Sequence, residues 1–145
     1  MKYHGALALA LALTGAPLSA QACSPQETVV RQFVDAFNRK DLDGMMALAD
    51  TGISWLSVIG DSTRLEVHGQ AGLRVSMESY FRSLPTSRST LETVRSMDRW
   101  VSAWERATWD APEGPRTQFA LSVYEVEDGR VRRVYYYPAI RVVKQ

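Results

Sequence analysis

Four consecutive strand-like runs close this chain, and their connections are short enough to dictate how they pair. Thr90 to Met97, Trp100 to Asp110, Arg116 to Glu127 and Arg130 to Tyr137 are rich in β-branched and aromatic residues. Only Asp98-Arg99, Ala111-Pro112-Glu113-Gly114-Pro115 and Asp128-Gly129 separate them. A parallel neighbour needs a crossover of about a dozen residues or more, so runs joined this closely form an antiparallel meander. Asp128-Gly129 is the strongest hairpin signal in the chain, because both residues tolerate the left-handed backbone of a type I′ turn.

Helical patterning lies ahead of that meander. Ser24-Pro25-Gln26-Glu27 joins an N-cap, a proline at the first helical position and a glutamate three residues after the cap. Val30, Phe33, Val34 and Phe37 then fall on one helical stripe, which ends at Asn38-Arg39-Lys40. Asp41 caps a short second helix carrying Leu42, Met45, Leu48 and Ala49, and Asp50-Thr51-Gly52 is expected to break it. A hairpin follows, Ile53 to Ile59 and Ser62 to His68 around Gly60-Asp61. Gly69 opens a third helix with Leu73, Met77, Phe81 and Leu84 on one side, stopped by Pro85. Helices grouped apart from a meander indicate an α+β domain, its helices packed on one face of an antiparallel sheet.

The first residues read as an export signal. Met1-Lys2-Tyr3-His4 is a short positive start, Gly5 to Leu13 is a run of Ala and Leu, and Ala20-Gln21-Ala22 has the form that signal peptidase cleaves. The expectation is a signal peptide over residues 1–22, a single domain over 23–145 and a periplasmic or secreted mature protein. The apolar run is too short to span a bilayer. Cys23 would become the first mature residue. A lipid anchor there is not favoured, because Ala20 stands where a lipoprotein signal carries Leu.

Lys+Arg 17 against Asp+Glu 16 gives a net charge of +1, which argues against nucleic acid or an anionic membrane as partner. One cysteine and two histidines supply no familiar metal set, so neither metal nor cofactor is expected.

The order helix, helix, hairpin, helix, meander resembles the nuclear transport factor 2-like superfamily. Val29-Val30-Arg31-Gln32-Phe33-Val34-Asp35-Ala36-Phe37-Asn38 with Asp41-Leu42-Asp43-Gly44 is similar to its first two helices. Leu48-Ala49-Asp50, Gly69-Gln70-Ala71-Gly72-Leu73 and Asp128-Gly129-Arg130-Val131 are similar to its later landmarks. The nearest likeness is to SnoaL-like proteins and ketosteroid isomerases. It implies a cone: a strongly bent sheet wrapped around three helices, an apolar pocket inside, and frequent dimers.

It also implies where catalysis would sit. Ketosteroid isomerases use a carboxylate base on the first strand, with a tyrosine and a neutral aspartate holding the developing oxyanion. The base should lie within Trp55-Leu56-Ser57-Val58, the tyrosine where this chain has Phe33, and the aspartate near Ala120-Leu121-Ser122. None of these positions holds the required group. Polyketide-cyclase members place an acid near the end of the last strand, where Val131 to Tyr137 carries Arg132 and Arg133 instead. His68 remains as an acid–base candidate near neutral pH, although a strand-end histidine equally suits simple exposure. Glu66, Glu92 and Glu105 are the next candidates for a base.

The strands carry many rings: Trp55, Trp100, Trp104, Trp109, Phe119, Tyr124 and Tyr135-Tyr136-Tyr137. Rings on both faces of one sheet suit a helix-covered face and a second face covered by another copy. A small apolar ligand is expected against Phe33, Phe37, Trp55, Phe119, Tyr124 and Tyr135. The reading is therefore an exported, dimeric, SnoaL-like ligand binder without the family's catalytic carboxylates. The alternatives are an isomerase, dehydratase or cyclase built on His68, and an interaction module of the cell envelope.

Overall fold

The structure, a computed structural model, describes residues 23–141. The proposed signal peptide lies outside these residues. Helix α1 spans Pro25–Asn38, α2 Leu42–Leu48 and α3 Gly69–Ser83. Strands β1 to β7 span Ala49–Ile59, Ser62–His68, Arg88–Met97, Trp100–Ala111, Gly114–Glu127, Arg130–Tyr136 and Ile140–Arg141. Both N-caps form as their sequences require. Ser24 Oγ accepts from the Glu27 amide at 3.1 Å, and Asp41 Oδ1 from the Gly44 amide at 2.8 Å. Gly44 is needed for that second cap, since a Cβ there would stand 2.4 Å from Asp41 Oδ2.

The strands join one sheet in the order β2-β1-β6-β5-β4-β3, with β7 added alongside β5. Its meander β3 to β6 is antiparallel throughout, as the short turns demand. The sheet as a whole is mixed, however, because β1 runs parallel to β6. These two strands are far apart in sequence, so no tight turn forces them to oppose. A second departure concerns Asp50-Thr51-Gly52, which is strand rather than a break. There Asp50 Oδ1 accepts from the Gly52 amide at 2.8 Å, and the register with β6 shifts between Ala49 and Ser54. The local turn chemistry is spent on an irregularity inside β1, and Ala49 belongs to that strand and not to α2.

Further register shifts fall at Trp55/Leu56, Leu91/Thr93 and Glu125/Val126. Each such irregularity bends its strand, and together they curve the sheet around the helices. Val30 and Phe33 of α1, Met45 of α2 and Leu73 of α3 pack in the core with Ile53, Val101, Val131 and Val134 from the sheet. Among the described residues no helix is long and apolar enough to cross a membrane.

Candidate functional site

The inner face of β4 carries Val101, Ala103, Glu105 and Ala107 in alternation, and the first three are buried. Small side chains on this face leave space against the helices. A cavity of about 290 Å³ results. Phe33, Val34 and Phe37 of α1 wall it on one side, with Met45, Met77 and Tyr80 from the other helices. Trp55 of β1 and Tyr136 of β6 close it opposite, their rings stacked with centroids 5.8 Å apart. Arg88 is the solvent-exposed member of the lining and marks the mouth.

Ser57, Tyr80, Arg88 and Gln118 add polar groups to the lining, and Glu105 is the buried acid among them, its carboxyl met by four hydroxyls. Ser122 Oγ and Tyr124 Oη each donate to Oε1 at 2.5 Å. Tyr136 Oη donates to Oε2 at 2.6 Å and Ser89 Oγ to the same atom at 2.9 Å. A carboxylate offers about four acceptor sites, so this one is saturated. Burial costs Glu105 its water, and charge-assisted hydrogen bonds of about 1.5–3 kcal/mol each offset that loss. Burial, and then the Glu105 charge, pushes the Tyr124 and Tyr136 hydroxyls well above the usual tyrosine range. Both therefore keep their protons at neutral pH.

The donors are held in place by the fold. The Ser89 backbone is clamped to the end of α1, where its amide donates to Asn38 Oδ1 and its carbonyl accepts from Asn38 Nδ2, both at 2.8 Å. Ser122 pairs across the sheet with Ala103 on one side and Tyr136 on the other, which aims its hydroxyl at Glu105. Beside the cavity, Lys40 lies over the Phe37 and Phe81 rings at 4.8 and 4.6 Å and donates to Ser87. Partial burial, and then the charge of Arg88, lowers its amine below the usual lysine range.

Of the residues expected to meet a ligand, Phe33, Phe37, Trp55 and Tyr124 line the cavity. Phe119 and Tyr135 do not. Phe119 stacks on Trp104 with centroids 6.0 Å apart, and Tyr135 tilts against Trp100 at 6.3 Å, both on the sheet's other face. The one-residue alternation of a strand decides this, since Tyr124 and Tyr136 face inward where Phe119 and Tyr135 face out. His68 is exposed at the end of β2, its Nδ1 3.1 Å from Ser54 Oγ, and does not line the cavity. Glu66 pairs with Arg64 and Glu92 with Arg106, and neither lines the cavity.

Glu105 is thus the acid that matters. The carboxyl sought at Ala120-Leu121-Ser122 is absent from that segment but arrives from the neighbouring strand, where Glu105 pairs directly with Ala120. One sequence signal pointed to it: Glu105 shares parity with Val101, Ala103 and Ala107 on the buried face of β4. Serines and tyrosines that complete its shell carried no such signal singly. Among the described residues no cluster of three or more His, Cys, Asp or Glu could hold a metal ion.

A sequence model of the SnoaL-like domain matches residues 30–134. The chain belongs to the SnoaL-like domain family. Solved structures with the same fold include an uncharacterized cystatin-fold protein from Novosphingobium aromaticivorans, 17% identical with a TM-score of 0.67 over 79% of this chain and 98% of that one. Another is a nuclear transport factor 2-like protein of unknown function from Burkholderia pseudomallei, 19% identical, TM-score 0.66, covering 79% and 90%. A third, proposed as a ketosteroid isomerase, comes from Kribbella flavida: 15% identical, TM-score 0.66, covering 83% and 82%. At these identities the likeness is one of fold. No curated protein matches the sequence. Within this SnoaL-like domain, the cavity and its saturated glutamate therefore have to be read from their own geometry.

Proposed function

We propose that this SnoaL-like protein binds a small, mainly apolar molecule in the cone cavity and does not catalyse proton transfer there. The observation that carries this reading is the saturation of Glu105 by four hydroxyls. A general base needs a free lone pair within reach of the substrate proton, and an oxyanion site needs donors aimed into the cavity. Here donors and acceptor satisfy one another. What remains is a mainly apolar enclosure with Ser57, Tyr80, Arg88 and Gln118 as its other polar groups, at the small end of the usual range of ligand pockets, roughly 300–1,000 Å³.

Export and dimerisation belong to the same reading. The mature protein would begin at Cys23 outside the cytoplasm, and intact mass of exported protein retaining Met1 to Leu18 would end that part of it. Native mass spectrometry of protein purified from its own host tests the binding function. A small organic molecule released from wild type, and lost when Ala107→Leu fills the cavity, is the expected result. Wild type that is always empty, together with turnover of a 3-oxo-Δ5-type steroid that Glu105→Gln abolishes, would replace binding with acid–base catalysis.

A further inference from the structure

The polarity of the cavity floor follows from where its hydrogens go. Each serine or tyrosine hydroxyl has a single hydrogen and two lone pairs. In Ser89, Tyr124 and Tyr136 that hydrogen is committed to Glu105, at 2.9, 2.5 and 2.6 Å. These three hydroxyls line the cavity together with Glu105 itself. What they present to an occupant is oxygen lone pairs and no hydrogen. Ser122, the fourth donor, is fully buried behind them and spends its hydrogen the same way. The tyrosines keep their protons at neutral pH, so neither turns anionic to alter this count.

An aromatic or alicyclic occupant seated against Phe33, Phe37 and Trp55 therefore meets a floor that only accepts. We infer that the Glu105 end of the cavity seats apolar molecules carrying a hydrogen-bond donor, a hydroxyl or N–H, in preference to ketones and ethers of the same shape, the lining's own donors Tyr80, Arg88 and Gln118 lying outside that hydroxyl shell. The inference rests on the cavity being a ligand site. It inverts the requirement of an oxyanion hole, which must donate to its ligand. A donor on the ligand finds an acceptor already polarised by the carboxylate behind it, whereas a carbonyl would set oxygen against oxygen in a dry site and lose its water without replacement.

Three probes of one shape test this: 2-naphthol, 2-methoxynaphthalene and 2-acetonaphthone, titrated calorimetrically into the full domain at neutral pH. Wild type should bind 2-naphthol at least about tenfold more tightly than either acceptor-only probe. In Glu105→Gln the side-chain amide supplies two hydrogens and one acceptor, so hydroxyl hydrogens are released towards the cavity. That variant should lose the preference for 2-naphthol and gain affinity for 2-acetonaphthone. Tyr136→Phe, which frees a lone pair of the Glu105 carboxylate at the floor, should keep or widen the wild-type preference, and its loss in that variant would overturn the proposal should Glu105→Gln fold poorly. Equal or tighter binding of 2-acetonaphthone by wild type overturns the donor selectivity while leaving a ligand site. Failure of all three probes to bind overturns the ligand site and the selectivity together.

Discussion

Glu105 sets the energetics of the inner sheet face at the scale of single residues. Removing one of its donors should cost about 1.5–3 kcal/mol, the worth of a hydrogen bond to a charged group. Tyr136→Phe is the cleanest case, because the ring and its stack on Trp55 are preserved. Urea unfolding should show that loss in the midpoint with an unchanged slope. A change under about 0.5 kcal/mol would mean that the Tyr136 hydroxyl is not committed to the carboxylate. A pH dependence follows from the same network. Tyr124 and Tyr136 have folded-state values raised above the ordinary tyrosine value of about 10, by burial first and the Glu105 charge second. The unfolded chain therefore gives up these protons first. Stability is full below about pH 10 and falls as pH rises past it, by up to about 1.4 kcal/mol per pH unit for each tyrosine. Tyr136→Phe should reduce the alkaline slope by about one proton, a quantity that unfolding curves above pH 10 measure directly.

At the scale of elements, the β5–β6 turn joins the two strands that carry Ser122, Tyr124 and Tyr136. Asp128 and Gly129 have φ of 51° and 71°, the left-handed pair of a type I′ turn. A side chain at Gly129 meets nothing within 4 Å, so Gly129→Val isolates the backbone cost, about 1–2 kcal/mol of lost stability by denaturant titration. No loss would mean that the turn relaxes without cost and does not fix the register. This hairpin was legible in the sequence because its chemistry is local, and so were the caps at Ser24 and Asp41. Non-local features were not. The parallel pairing of β1 with β6 depends on strands brought together only by the finished sheet. Asp50-Thr51-Gly52 reads as a turn in isolation, yet the strand absorbs it as an irregularity closed by the Asp50 side chain. The glutamate shell draws on β3, β4, β5 and β6, through Ser89, Glu105, Ser122, Tyr124 and Tyr136. Each is unremarkable alone; register makes them a site.

At the scale of the whole molecule, the sheet's two faces divide the aromatic residues between them. Inward rings wall the cavity, while Trp104, 38% exposed, and Phe119 stack outside. Ile140, 62% exposed, pairs with Phe119 across β7 and extends that patch. Covering such side chains stabilises by roughly 1.5–3 kcal/mol each when burial is complete, and a two-fold axis does so with one set of residues used twice. A dimer is therefore expected in sedimentation at micromolar concentration, and Trp104→Glu should dissociate it by placing unpaired charge in the interface. A monomeric wild type at high micromolar concentration would remove the dimer and leave the cavity untouched. The chemistry of the cavity floor turns on where a few hydrogens lie, and neutron diffraction from deuterated crystals at neutral pH locates them. Deuterium on Ser89, Ser122, Tyr124 and Tyr136, each directed at the Glu105 carboxylate, is the expected result. Deuterium on the Glu105 carboxyl, with a tyrosine hydroxyl turned into the cavity, would contradict it.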